Sequence, residues 1–374
     1  MNPVTIPFQM TLPEELLRIS AVFAKNGKEL YVVGGAVRDA ILGTPPKDFD
    51  VATNATPDEV VAMFQDTGYT ILEIGKSFGV IKLVTPDGEY EIATFRSDIG
   101  SGRHPSSVVF TTIEEDVKRR DLTINALFYN IEKGLVVDYV GGLEDLTNKV
   151  IRAVGNPHER FAEDRLRILR ALRFAGRFNA NLHPETSAAI LSDNSDYPLE
   201  GVSAERIREE FIKGILTSQS VSYFLLMVHE YIGWQPIFPE LKAAFLWSGM
   251  KSVPVQVALL LHQNEPRVIA KVLNELKYSA IECVQVAYLV SLQSLSIETA
   301  YRLKKGFKNS HLTKAEVMEF VTFHAGFNAA LVEAFLEFEL TVTGAELMAE
   351  GFKGKQIGEQ QELRETRNFT SLLR

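Results

Sequence analysis

Two aspartates two residues apart, Asp48 and Asp50, suggest what chemistry this 374-residue chain could perform. In extended backbone alternate side chains share a face, so both carboxylates can reach the same metal ions. Magnesium takes oxygen ligands, keeps several waters, and is held by one or two carboxylates with substrate phosphates completing its shell. Two such ions could activate an attacking hydroxyl and stabilise a pyrophosphate leaving group. Upstream, Val33-Gly34-Gly35-Ala36-Val37-Arg38 reads as a strand that ends in two glycines and opens a helix. Backbone amides there can approach a triphosphate closely, and Arg38, one turn in, would face the same anion. Glu91, and after it Glu89, are candidates for a third carboxylate; the plain alternative is that their strand face is solvated surface. Asp-x-Asp alone is usually surface and Gly-Gly alone usually a turn. Ordered as strand, Gly-Gly, Arg and then Asp-x-Asp, they point to metal-dependent phosphoryl chemistry.

Two further groups of residues can handle a nucleotide. In Lys118-Arg119-Arg120-Asp121-Leu122-Thr123-Ile124-Asn125-Ala126 the apolar positions would bury one side and leave Arg120 and Asp121 anchored where sugar and phosphate could be contacted, although a basic triplet can also be only a solvated face. In Glu163-Asp164-Arg165-Leu166-Arg167-Ile168-Leu169-Arg170-Ala171-Leu172-Arg173, helical spacing puts Asp164, Arg167, Arg170 and Arg173 on one stripe and Leu166, Leu169 and Leu172 on another. A salt-bridged helix face is the plain reading. The chemical reading is specific: cytosine and adenine both offer an amine donor beside a ring-nitrogen acceptor, which match a carboxylate and a guanidinium. Asp164 with Arg167 would accept CTP and ATP and reject UTP and GTP, with Arg170 and Arg173 left for phosphates or for fixing the pair's geometry.

The elements that must position these residues divide the chain. Short β-rich runs at 30–33, 79–84 and 90–95 alternate with helical patterns at 36–42 and 57–66, which predicts an α/β or α+β head. From Pro157 onward nearly every segment has helical periodicity. Breaks near 152, 217 and 305 give an expected division into 1–152, 153–217, 218–305 and 306–374. The formal charge is -9, yet residues 152–177 carry Arg152, Arg160, Arg165, Arg167, Arg170, Arg173 and Arg177, so a local anion-binding surface is expected inside an acidic chain. The single cysteine, Cys283, excludes an internal disulfide and reads as core filling. No stretch approaches a membrane span, and a cytoplasmic protein is expected.

The three groups, in this order and spacing across most of residues 29–178, resemble the class II tRNA nucleotidyltransferase (CCA-adding enzyme) and bacterial poly(A) polymerase family of the DNA polymerase β superfamily. The resemblance implies a polymerase-β-like nucleotidyltransferase head, a mixed sheet with helices, followed by an all-helical neck, body and tail that grip the acceptor arm of tRNA. It implies catalysis and nucleotide binding by Gly34, Gly35, Arg38, Asp48 and Asp50, with Arg120 and Asp121. Asp164 and Arg167 match the family's amino-acid template for the base, with Arg170 and Arg173 beside them. The run from Val202 to Lys213 resembles the last neck motif. The run from Gly344 to Gly358 resembles a tail motif, although its glycines could simply end helices.

Two departures qualify what is added. A mobile loop is expected over 100–107, and the stretch from Ser97 to Ser107 keeps Arg103 and Pro105 but lacks the Tyr of many complete CCA-adding members. Partial addition of CC or of A alone therefore stands beside full CCA addition, as does poly(A) synthesis. His262 has no Asp beside it, so no His-Asp phosphohydrolase activity is expected. A catalytically silent RNA-binding protein is the alternative of another class, and the presence of both Asp48 and Asp50 argues against it. Nothing in the sequence selects an oligomeric state.

Overall fold

The structure is a computed structural model that describes residues 2–99, 107–192, 198–324 and 328–373. The described chain separates into two compact units, 1–201 and 202–374. The first contains an eight-stranded mixed sheet built from β1 (Val4–Pro7), β2 (Leu30–Val33), β3 (Val51–Thr53), β4 (Thr70–Leu72), β5 (Val80–Thr85) and β6 (Gly88–Thr94), together with the later strands β9 (Leu127–Asn130) and β10 (Leu135–Asp138). Their spatial order is β1-β10-β9-β2-β3-β6-β5-β4. β3 and β6 run parallel; the other neighbouring strands of the sheet are antiparallel. β7 (Arg96–Ile99) and β8 (Ser107–Phe110) form a separate antiparallel ribbon. Ser107, the last residue of the expected loop, pairs with Ile99, while residues 100–106, with Arg103 and Pro105, lie outside the described residues.

β2 lies between neighbours and is buried throughout, which explains its unbroken Leu-Tyr-Val-Val run: a strand covered on both faces has no polar side to present. On one face α1 (Glu14–Lys25) brings Phe23 to Phe64 of α3 (Pro57–Phe64), with ring centroids 5.7 Å apart. Thr56 starts α3 with a reciprocal capping box to Glu59, and Pro57 occupies the first turn, where no amide is needed. On the other face Tyr31, Val33, Ala52, Phe95, Phe128 and Val137 form a core with Val117 of α4 (Ile113–Lys118) and with Val154. This second core lies beneath the ends of β2 and β3, where the glycines and aspartates emerge.

The first unit continues through α2 (Gly35–Ile41), α5 (Gly142–Thr147), α6 (Pro157–Glu163), α7 (Leu166–Phe178) and α8 (Pro184–Leu191), and a two-residue parallel pairing of β11 (Val150–Ile151) with β12 (Asn181–Leu182). The second unit is helical among its described residues: α9 (Ala204–Thr217), α10 (Val221–Ile232), α11 (Val253–Leu261), α12 (Pro266–Glu275), α13 (Ala280–Ser291), α14 (Ala300–Ser310), α15 (Lys314–Phe323), α16 (Ala329–Glu337), α17 (Gly344–Ala349) and α18 (Lys355–Leu372). Cys283 is buried in α13, as its apolar surroundings predict. Gly351 ends α17 at φ 99°, with its amide donating to Met348 and that of Phe352 to Leu347, so this tail glycine has a helix-ending role. No helix of the described residues is long and apolar enough to cross a membrane.

Candidate nucleotidyl-transfer site

The glycine turn is dictated by backbone and by space. Gly34 sits at φ 67°, ψ -120°, a conformation that costs a residue with a Cβ dearly. A Cβ there would also lie 3.3 Å from the Asn125 carbonyl and 3.6 Å from Arg120 Nη1. The turn is therefore packed against the short 3-10 turn Thr123–Asn125, and its amide donates to Leu127 at 2.9 Å. Gly35 opens α2 with Arg38 folded back beside it, Nη2 being 3.6 Å from where a Cβ would stand.

Asp48 and Asp50 lie in chain without helix or strand immediately before β3. The Asp50 carbonyl accepts from Val33, continuing the β2–β3 pairing by one residue. In the parallel β3–β6 register Val51 pairs with Ile92, so Asp50 lies level with Glu91 and on the same side of the sheet. Burial pushes the Asp50 carboxyl above its ordinary range; Glu91 and Asp48 push the same way, and Arg120 opposes them. Glu91 also lies 3.3 Å from Lys82, which holds Glu89 at 2.9 Å. The register thus places Glu91 beside the aspartates. Among the described residues no three His, Cys, Asp or Glu side chains are gathered closely enough to hold a metal ion by themselves. Two hard carboxylates, with Asp50 crowded by like charge, nonetheless suit a hydrated divalent cation that takes its remaining ligands from water and phosphate.

Behind this opening lies a chain of ion pairs. Asp116, only 1% exposed, accepts from Arg119 at 2.8 Å, from Arg120 at 3.1 Å and from the Arg96 amide at 3.2 Å. Arg120 is thereby held over the Phe128 ring, 4.6 Å from its centroid. Asp121 accepts from Arg170 Nε at 2.8 Å, from Asn125 Nδ2 at 3.2 Å and from the Leu122 amide at 2.8 Å. Burial alone would raise the Asp121 carboxyl, but Arg170 with these hydrogen bonds outweighs it and holds the carboxyl below the ordinary range. Asn125 Oδ1 in turn accepts from Arg38, whose Nε donates to Asp39 at 2.9 Å; Asp39 also pairs with Arg177 at 2.9 Å.

Arg38 is 3% exposed, and its guanidinium lies 4.9 Å from the Phe174 ring and 5.2 Å from that of Phe178. Burial lowers its pKa to about 10, against the opposing pull of Asp39. It sits at the glycine turn, as expected, but its side chain ties α2 to α7. The run of arginines behaves in the same way. Arg152 pairs with Asp145, Arg160 and Arg167 with Glu163, Arg170 with Asp121 and Arg177 with Asp39, while Arg173 is 6% exposed over Phe174. Much of the local positive charge therefore organises acids within the unit, where an open anion-binding surface was expected.

The single helix expected over 163–173 is two helices. α6 ends at Glu163, and Asp164 is extended at φ -153°, ψ 102°. Its Oδ1 accepts from the Leu166 amide at 3.2 Å and its carbonyl from the Arg167 amide at 3.0 Å, so the side chain caps the start of α7. A short polar side chain that bonds an amide two residues on competes with helix continuation, and here it wins. Arg167, the second residue of α7, donates to Glu163 Oε2 at 2.6 Å, to the Arg160 carbonyl at 3.1 Å and to the Arg119 carbonyl at 3.0 Å. These bonds fix the plane of the guanidinium next to Arg120. The residues not foreseen are Asp116, Asn125 and Asp39. Asp116 had a signal in its three- and four-residue spacing to Arg119 and Arg120; Asn125 acts through a tertiary contact that spacing cannot show.

Residues 30–152 match the family described as Poly A polymerase head domain, and residues 179–245 match "Probable RNA and SrmB- binding site of polymerase A". A CCA-adding enzyme of Streptococcus thermophilus is 35% identical over 278 residues, covering 70% of this chain and 67% of that protein. The chain belongs to the tRNA nucleotidyltransferase and poly(A) polymerase family. Poly(A) polymerase I of Salmonella typhimurium is also 35% identical, over 69% of this chain and 57% of that protein. In such sequence matches the chain spans about half the length of the curated relatives. A crystal structure of the Bacillus stearothermophilus CCA-adding enzyme in complex with CTP superposes with a TM-score of 0.72 at 26% identity, covering 96% of this chain and 94% of that one. The α+β head with a helical continuation is thus the architecture of a solved CCA-adding enzyme, while the names of the sequence relatives span two activities.

Proposed function

We propose that this member of the family is a template-independent nucleotidyltransferase that adds C and A from CTP and ATP to the 3′ end of tRNA. The observation that carries the reading is the strand register that sets Asp50 level with Glu91, two residues along the chain from Asp48, with the charges of Glu91, Asp48 and Arg120 all acting on the Asp50 carboxyl. Asp48 and Asp50 are the residues that would hold magnesium, with Glu91 as the third carboxylate. Bound there, the metal would supply Lewis acidity to the attacking 3′-hydroxyl and neutralise charge on the leaving pyrophosphate. Gly34 and Gly35 let the backbone approach the triphosphate, and Arg120, steadied by Asp116 and Phe128, offers it a fixed cation.

Base choice falls to Asp164 and Arg167. The Asp164 carboxylate is oriented by the Leu166 amide to accept from an exocyclic amine. Arg167, braced by Glu163 and two carbonyls, donates to the adjacent ring nitrogen. Asp121 and Arg170 link this recognition helix to the Arg120 turn, and Arg173 supports it from within. Residues 153–217 would then act as a base-recognition neck, 218–305 as body and 306–374 as an RNA-gripping tail, in a cytoplasmic enzyme. The likeness to CCA-adding enzymes supports addition of C and A, as expected for a tRNA end, while the poly(A) polymerase likeness supports a second reading in which A alone is added to RNA in general.

The test is incubation with magnesium, single labelled nucleotides and tRNA transcripts ending in the discriminator base, C, CC or CCA. Addition of C, then C, then A, with arrest at CCA, is the expected result. Stopping at CC, or accepting only A on CC ends, would reassign the chain to partial addition. Long A tails on unrelated RNA would replace the reading with poly(A) synthesis.

A further inference from the structure

The second unit contains an aromatic platform that the transfer chemistry does not use. Between α10 and α11 the chain runs from Gly233 to Ser252 without a helix or strand. Ordered irregular segments of such length are uncommon and tend to be functional. This one is pinned at several points. Lys242 N donates to Asn264 Oδ1 at 3.0 Å, Ala244 N to the Leu260 carbonyl at 2.6 Å and Ser248 N to Gln256 Oε1 at 3.1 Å. Gln256, fully buried, also donates to the Ser248 and Met250 carbonyls.

The pinned segment presents Phe245 with 63% of its surface exposed. Its ring centroid lies 4.4 Å from that of Trp247 and 4.7 Å from that of His229 on α10, and Trp247 meets Trp234 at 6.1 Å. Trp234 Nε1 and His229 Nδ1 are buried polar atoms with no hydrogen-bond partner among the described residues. Between Gly233 and Ser252 the charged residues are Glu240, Lys242 and Lys251, all exposed, so the two lysines outnumber the one acid. A rigidly held, solvent-facing ring flanked by lysines is the composition that stacks a nucleobase while pairing with its phosphates. Most of the segment up to Phe245 falls within the RNA-binding family match, residues 179–245.

We infer that Phe245, backed by Trp247 and His229, is a stacking platform for an unpaired base of the RNA substrate, with Lys242 and Lys251 contacting the adjoining phosphates. The inference deepens the proposed function, since it rests on RNA being the substrate.

Both tryptophans of the chain, Trp234 and Trp247, lie in this cluster, so intrinsic tryptophan emission reports on it alone. A tRNA transcript lacking CCA should quench that emission saturably, whereas inorganic polyphosphate should not. F245A, at an exposed position, should weaken tRNA binding and raise the KM for tRNA by about tenfold, the scale of one lost stacking contact. F245Y, which keeps the ring, should restore both. An unchanged Kd in F245A, or emission unmoved by tRNA, overturns the platform. A change that tracks protein concentration with formation of a dimer, and not RNA, assigns the rings to a second copy and also overturns it. Nucleotide incorporation is scored separately. Wild-type protein that adds C and A without quenching sinks only the platform, and protein that quenches but adds nothing sinks only the transferase reading.

Discussion

The two units solve the problem of burying side chains differently. In the first, buried or half-buried charges are paired in series: Arg120 with Asp116, Arg170 with Asp121, Arg177 with Asp39, and Arg38 with Asp39 and Asn125. In the second, packing is mainly apolar. α11 is buried almost all round, Phe211 meets Phe224 and Phe238, and helix starts at Ser279, Thr313 and Thr343 carry capping boxes. Ion pairs removed from water gain little net stability but hold their partners in one geometry. Apolar packing and caps stabilise helices without placing any reactive group. The contrast shows where position matters more than stability: around the glycine turn and the two aspartates.

That contrast can be broken from its most sensitive point outward. D48A should lower nucleotide incorporation by roughly a thousandfold or more, the scale of losing a principal electrostatic contact at a transition state, while the urea midpoint stays unchanged. Retained activity would remove Asp48 from the metal site. D116A leaves Arg119, Arg120 and the Arg96 amide without their shared acceptor and should cost about 3–5 kcal/mol, read by urea unfolding. A loss below about 1 kcal/mol would mean that water replaces the carboxylate and that the network is not a rigid support.

In the second unit the corresponding lesion is steric. A Cβ at Gly214 of α9 would lie 2.1 Å from the Phe224 ring, so G214A should destabilise by about 1–3 kcal/mol through overpacking. Incorporation into a short acceptor-stem substrate at low temperature should change far less than in D116A; equal damage to both would erase the distinction between the units. D164A should reduce discrimination against UTP and GTP by about tenfold to a hundredfold, the scale of one base-edge contact. Unchanged ratios of kcat/KM would refute its template role. The smallest effect belongs to T313A, which opens a capping box and should lower stability by about 1 kcal/mol with base choice untouched.

The glycine turn, the Asp-x-Asp spacing, the strand runs expected at 30–33 and 90–95 and the helix expected over 57–66, found as Leu30–Val33, Gly88–Thr94 and Pro57–Phe64, were legible because each rests on local physics: alternation, helical period, or a φ that only glycine tolerates. The helix break at Asp164 was not. A stripe with period three looks continuous until the aspartate's own hydrogen bond to Leu166 is set against it. The fate of the arginines was also hidden, because composition counts charges and does not pair them. Nor could spacing show that Arg38 would stack on Phe174 and Phe178, 136 and 140 positions along the chain.

The sequence by itself determined which carboxylates, glycines and arginines are present that could serve a metal and a nucleotide, and the local element around most of them. Only the tertiary structure decided that Asp50 lies level with Glu91, that Asp116 holds Arg119 and Arg120, and that Asn125 and Asp39 link the glycine turn to α7. Local preference extends over a few residues, whereas these relations come from a parallel strand register and from desolvated charges finding partners across the unit.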